Sequence, residues 1–357
     1  MSNFNVEVNQ FPSLTWNHLK INRTNLEYDA EKSLKEKITF DDKKVTVQDI
    51  EAKKVNEEVK SIESGMGKAF DNAVDEFLLN SKGFSKYFCV KENAALSAVK
   101  ILLENNEKYG TFNDYVVKIN AGAKVNLIVM IKDSKSSIGL RIRVIAEENS
   151  DVKISVINLV KNDVDVFTSI GSVAKDKAKI EVTEIALGGK HVYSGNKCEL
   201  TGFESKSEGH TAYFVKKDSS LDINYVCNQR GKNTDSKMNV DGVVSENGSK
   251  VWRGTIDFIR GCVDSTGDEQ ENVLLLSPKL VNKTLPVILC DEEAVEGRHG
   301  ASIGKLSSDI LFYMQSHGIS EDEAKLLMIK AKVYACCRFV NDEETENEVL
   351  SFIDGVI

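Results

Sequence analysis

Hydrophobic and polar positions divide the chain into three stretches of different rhythm. From Val45 to Asn80 the apolar residues Ile50, Val55, Val59, Ile62, Met66, Phe70, Val74, Phe77 and Leu78 recur every few positions between lysines and glutamates. That spacing predicts amphipathic helix, with Gly65 and Gly67 separating two segments. The first forty residues are less periodic, although Phe11 to Ile21 holds a local aromatic cluster. His18 within it reads as a structural residue.

Between about Tyr87 and Gly304 the helical rhythm gives way to short runs rich in β-branched residues. Val116–Ile119, Val125–Ile131, Leu140–Ile145 and Val152–Ile157 partly alternate, as strands with one buried face do. A weak repeat runs through this block. Turns of small or charged residues precede Val125, Val152, Ile180, Leu221, Val251 and Val295, which are 27, 28, 41, 30 and 44 residues apart. Coils of a parallel β-helix, with insertions in the longer gaps, would produce such spacing. An antiparallel sandwich with regular hairpins also fits the pattern.

After Gly304 the helical code returns. Ser307 or Ser308 can cap a short helix carrying Ile310, Leu311, Phe312 and Met314, which Gly318 can end. Ser320 and Glu323 form a capping box ahead of a stripe of Ala324, Leu327, Met328, Ala331 and Ala335. A last helix is expected over Glu344 to Ile353. This end is either a docking surface or a cap on the open end of a β-stack. Three regions result: a mostly helical one over residues 1–86, a β core over 87–304 and a helical one over 305–357.

Charge and composition narrow the function. The 357 residues include 46 basic and 55 acidic side chains, a net charge of −9, which argues against a general nucleic-acid binder and a polybasic lipid anchor. The longest apolar run, Val125–Ile131, is far shorter than the ~20 residues of a membrane helix. The first residues lack the basic start and apolar segment of a signal peptide. Seven irregularly spaced cysteines suggest reduced thiols in a cytoplasmic protein rather than a disulfide framework.

Familiar catalytic motifs fail on their chemistry. Gly300-Ala-Ser-Ile-Gly304-Lys305-Leu306 has one residue too few between its glycines, and Leu306 replaces the magnesium-binding hydroxyl of a P-loop, so no nucleotide is expected on this chain. Cys336 and Cys337 point about 100° apart on a helix and suit packing better than zinc. Cys227 reads as a strand residue, and Cys262 as the thiol with more chance of exposure. The acidic groups Asp268-Glu269 and Asp291-Glu292-Glu293 could serve a β-helix glycosidase, or stand as solvated turns. His191, His210 and His317 carry no motif.

The last hundred residues gain meaning as an ordered series. Val251-Trp-Arg-Gly-Thr-Ile-Asp-Phe258, Gly267 to Ser277, Thr284-Leu-Pro286, Glu296-Gly-Arg-His-Gly-Ala-Ser-Ile-Gly-Lys-Leu306 and Ile310 to Ala324 closely resemble the SufB/SufD family of iron–sulfur cluster assembly scaffold proteins. The resemblance is strong over residues 250–340 and diffuse before. It implies a right-handed parallel β-helix between helical terminal regions, and a scaffold rather than an enzyme. The C-terminal helices, with Leu311, Phe312, Tyr313 and Met314, would dock a SufC-like ABC ATPase. The β-helix would pair with a SufB-like subunit and share a transient iron–sulfur cluster at the interface. Glu271 stands where SufB members carry a cysteine, and Gly300 where they carry glutamate, which points to the SufD-like branch. His299 matches the SufD interface histidine and is the expected cluster ligand or interface residue. Gly297 replaces the cysteine that many SufD members have two residues earlier. A homodimer that accepts a cluster itself is the alternative, and a carbohydrate-active β-helix enzyme a third.

Overall fold

The computed structural model describes residues 2–12, 21–34 and 36–355. Trp16 and His18 of the aromatic cluster lie outside them. The N-terminal part holds β1 (Ser2–Val8), β2 (Thr24–Lys32), β3 (Lys37–Phe40), β4 (Val45–Glu51), α1 (Glu57–Lys60), α2 (Lys68–Asn80) and β5 (Phe84–Val90). The expectation of a mostly helical region over residues 1–86 is therefore corrected, since four strands precede α1. Over Val45–Glu51 the β-branched Val45, Thr46, Val47 and Ile50 favour extended backbone, and antiparallel pairing with β5 fixes it. Gly65 and Gly67 do separate the two helices.

The chain then alternates between two facing walls: β6 (Ser97–Leu103), β7 (Gly110–Ile119), β8 (Lys124–Lys132), β9 (Ile138–Ala146), β10 (Asp151–Leu159), β11 (Val166–Ala174), β12 (Lys179–Ala186), β13 (His191–Leu200), β14 (Lys206–Val215), β15 (Ser220–Gln229), β16 (Asp235–Val244), β17 (Ser249–Phe258), β18 (Ser265–Leu275), β19 (Val281–Cys290) and β20 (Val295–Lys305). Even-numbered strands from β6 onward form one wall and odd-numbered strands from β7 the other, each pairing in parallel with the next of its own wall. The result is a parallel β-solenoid of about eight turns.

Register accounts for the repeat and corrects it. Val125, Val152 and Ile180 are stacked partners on the even wall. The column continues through Ser207, Ser236, Gly267 and Gly297, at steps of 27 to 31 residues. Leu221 and Val251 belong to the odd wall. The gaps of 41 and 44 residues are thus a change of wall, not insertions; the hydrophobic signal fades because serine and glycine take the inward position after Ile180.

One corner of each coil is also periodic. Gly122, Asn149, Lys177, Glu204, Asn233 and Asp264 all have φ between 55° and 66°. A left-handed conformation costs a non-glycine residue about 1–2 kcal/mol. Here each N–H donates to a corner carbonyl of the following coil at 2.7–3.0 Å, which offsets that cost.

Three helices follow: α3 (Ser308–Ser316), α4 (Glu321–Cys337) and α5 (Glu343–Asp354). The Ser320–Glu323 capping box forms. The buried face of α4 is Ala324, Ile329, Val333, Cys336 and Cys337, not the expected stripe, and Leu327 is exposed. The reason is the surface it meets: Ile157, Ile185, Ala212 and Val243 on the outer face of the even wall. Helix α5 reaches back to the early coils, with Lys100 to Asp342 at 2.8 Å and Lys132 to Glu348 at 2.9 Å. These two helices cover the side of the solenoid and leave its end open.

The far end of α4 is held by His210, whose ring stacks on Phe339 with centroids 3.4 Å apart. Burial pushes the His210 pKa below its ordinary value, reinforced by Lys179 and Lys153 and opposed by Glu208 and Glu181. The unfolded chain then binds the extra proton more readily, so this contribution is complete above the unfolded value of about 6.5 and declines as pH falls through it. Urea midpoints at pH 7.5 and 5.5 are expected to differ less in His210→Gln than in the parent chain.

Candidate functional site

The solenoid interior changes character from one end to the other. Early coils are filled by Val125, Leu127, Val129, Ile138, Leu140 and Ile142. A polar group enters at Glu184, fully buried, which accepts from Tyr225 Oη at 2.5 Å and Thr168 Oγ1 at 3.1 Å. Burial raises its pKa even against the hydrogen bonds of Ser194, Tyr225 and Thr168.

Three coils on, charge occupies the interior. Glu271, 1% exposed, accepts from Lys250 Nζ at 2.5 Å and Tyr213 Oη at 2.9 Å on one oxygen, and from Thr284 Oγ1 at 2.5 Å on the other. Tyr213 reaches it across Gly242, where a Cβ would overlap the phenol ring. Burial lowers the Lys250 pKa, and Glu271 opposes the shift. Both oxygens of the Glu271 carboxylate are thus engaged.

Glu269, two residues earlier, is its opposite. It is 0% exposed, yet neither oxygen has a hydrogen-bond partner, and the nearby Trp252 Nε1 also lacks one. Burial, with Glu271 adding to it, pushes the Glu269 pKa well above the usual carboxylate range. Its carboxylate fills the space of a missing side chain: a Cβ on Gly254 would lie 1.9 Å from Oε1.

His299 sits on the next strand, in register with Glu269. The stretch Val295–Gly304 lies within the last strand, β20. A Cβ at Gly297 would meet Ile288 and Phe258 at 3.0 Å, so positions 297, 299 and 301 face inward. His299 is nevertheless exposed, because no coil lies above it. Beside it, Phe258, Arg260, Ile288, Cys290, Glu292 and Gly297 line an open concavity of about 690 Å³. Cys290 is exposed there, whereas Cys262 is buried, the reverse of the expectation for Cys262.

β18 carried the missed signal. Ser265, Gly267, Glu269, Glu271 and Val273 alternate with exposed or half-exposed residues, so parity alone places both glutamates inside. Of the acidic groups weighed for glycoside chemistry, Glu269 is enclosed and Asp291–Glu293 lie in a turn. Among the described residues no group of three histidine, cysteine or acidic side chains could hold a metal ion unaided.

A second surface lies on α3, which buries no residue: Phe312 and Tyr313 are 73% and 64% exposed, Leu311 and Met314 half-buried.

The family model for the SUF system iron–sulfur cluster assembly SufBD core domain matches residues 101–332, more than half of the chain. The chain belongs to the SufBD family. A SufBD family protein of Staphylococcus epidermidis described as acting in iron–sulfur cluster assembly is 25% identical over 230 residues, covering 63% of this chain and 49% of the relative. SufBD relatives from Staphylococcus saprophyticus and Staphylococcus aureus match at 24% and 25% identity over the same shares. The match thus spans about half the length of these SufBD relatives. The SufBD core model covers β18, β20 and α3, and so includes both surfaces described above.

The Glu271–Lys250 pair gives a stability test. Glu271→Ala strands a buried ammonium and is expected to cost about 3–5 kcal/mol in denaturant unfolding. The Lys250→Met/Glu271→Leu double variant should recover most of that loss.

Proposed function

We propose that the chain is a SufD-like scaffold subunit of an iron–sulfur cluster assembly complex, cytoplasmic, and without a turnover reaction of its own. The observation that carries this reading is the open end of the solenoid. Among the described residues β20 has no strand on its outer edge, and it runs for 11 residues without proline. The parallel edge on the other wall, β19, is interrupted by Pro286, which donates no backbone hydrogen bond. A long uninterrupted edge is a template for another chain's strand, and a SufB-like subunit is the proposed occupant.

Such pairing would place His299 at a junction between two proteins. Imidazole is an accepted ligand of iron–sulfur clusters, and thiolate the commoner one. Here His299 offers one nitrogen and Cys290 an exposed thiol in the adjoining concavity, too few for a cluster held by this chain alone. The cluster is therefore cargo, completed by ligands from the partner. The branch assignment is supported by Glu271 and Gly300, which replace the SufB cysteine and glutamate. No helix among the described residues is long and apolar enough to cross a membrane.

The exposed apolar face of α3 suits the docking of a SufC-like ABC ATPase, which would bind the nucleotide this chain does not. Co-purification with SufB-like and SufC-like proteins is the expected outcome, and failure to associate with either would sink the complex assignment. A stable homodimer that reconstitutes a cluster alone would favour the self-pairing alternative. Phe312→Asp is expected to weaken ATPase binding by about 2 kcal/mol, roughly thirtyfold, with circular dichroism unchanged. Unaltered affinity would remove α3 from the contact.

A further inference from the structure

The end of the solenoid holds two buried carboxylates and one ammonium. Lys250, Tyr213 and Thr284 are all committed to Glu271, and neither oxygen of the Glu269 carboxyl has a hydrogen-bond partner. An unpartnered polar group in an apolar interior is costly, and a leucine or valine there would avoid the cost. The surrounding residues are nevertheless arranged around the carboxylate, since Gly254 leaves the space it occupies. Trp252 Nε1, also without a partner, lies in the same coil.

Only one strand separates Glu269 from His299. Register partners on adjacent parallel strands project on the same side, about 4.8 Å apart. One donor is thus buried and the other at the rim, with no strand above it among the described residues. We propose that Glu269 and His299 together take up a single divalent transition-metal ion at the mouth of the solenoid, the carboxylate turning from Gly254 toward the imidazole. Binding releases the proton that burial keeps on the Glu269 carboxyl to solvent, and the ion takes its place as the positive charge beside the carboxylate. One carboxylate oxygen and one imidazole nitrogen, with further positions open to water, are donors that divalent first-row metals accept, ferrous iron among them. This inference deepens the scaffold reading and rests on it for the choice of iron; the pairing of donors rests on the geometry.

The test uses the full chain, freed of metal and kept anaerobic. Fe(II) binding is followed by titration calorimetry, and Co(II) binding by visible absorption. One saturating equivalent is expected, and Glu269→Gln and His299→Ala should each weaken it at least about tenfold, on the scale of losses around other metal centres. Glu296→Gln, on an exposed outward position of β20, should bind as the parent does. Fe(II) should raise the unfolding midpoint of the parent and of Glu296→Gln, and raise those of the two site variants less at the same concentration. Absence of a saturating equivalent in the parent, or parental affinity in Glu269→Gln, overturns the proposal. Should Glu269→Gln fail to fold, the exposed His299→Ala decides by the same criterion. Partner pull-down separates the two readings: pairing without metal binding rejects the ion site alone, and metal binding without pairing rejects the scaffold assignment alone.

Discussion

The backbone of a parallel strand can meet its hydrogen-bonding needs only from the strands on either side. The rest of this molecule follows from that constraint. At the start of the solenoid it is met by the N-terminal strands: β3 runs antiparallel to β6, while β2 and β5 both lie along β7. Asn9 and Thr24 both donate to Asp222, which also holds Arg253 at 2.6 Å, so the N-terminal segment is tied to late strands of the odd wall. At the other end, among the described residues, no strand pairs with the outer edge of β19 or β20. Helices α4 and α5, which could have closed it, are drawn instead to the apolar outer face of the even wall.

The interior follows the same direction. The early coils contain valine, leucine and isoleucine, and the buried Glu271–Lys250 pair lies one coil short of the open end. Burying charge is expensive in the middle of a solenoid and less so near an end that water or a second protein can reach. Glu271 with Lys250 resolves the expense internally. Glu269 does not, and an unresolved buried group beside an exposed histidine is the kind of local inconsistency that functional sites retain.

Much of the architecture was legible because its signals are local. Runs such as Val125–Ile131 announce strands, Ser320 and Glu323 announce a helix start, and the motif around His299 names the family. What was not legible depends on which neighbour a residue meets. Val45–Glu51 shares its spacing with a helix and becomes a strand because β5 is there to pair with it. The face of α4 is chosen by Ile185 and Val243, more than eighty residues away in sequence. His299 was identified by type, but its setting as an inward residue of an uncovered strand needed the register. Glu269 was hidden by its neighbour: the family resemblance points to Glu271, and only the hydrogen bonds reveal which glutamate is satisfied.

The corner ladder gives the solenoid a direction in time as well as in space. Each left-handed corner, from Gly122 to Asp264, donates its N–H to a carbonyl that lies further along the chain. While the polypeptide is being made, that amide has only water as acceptor until the following coil emerges, so every coil is completed by its successor. Growth by this rule always leaves a newest coil waiting, and in the finished protein that coil is the one bearing His299.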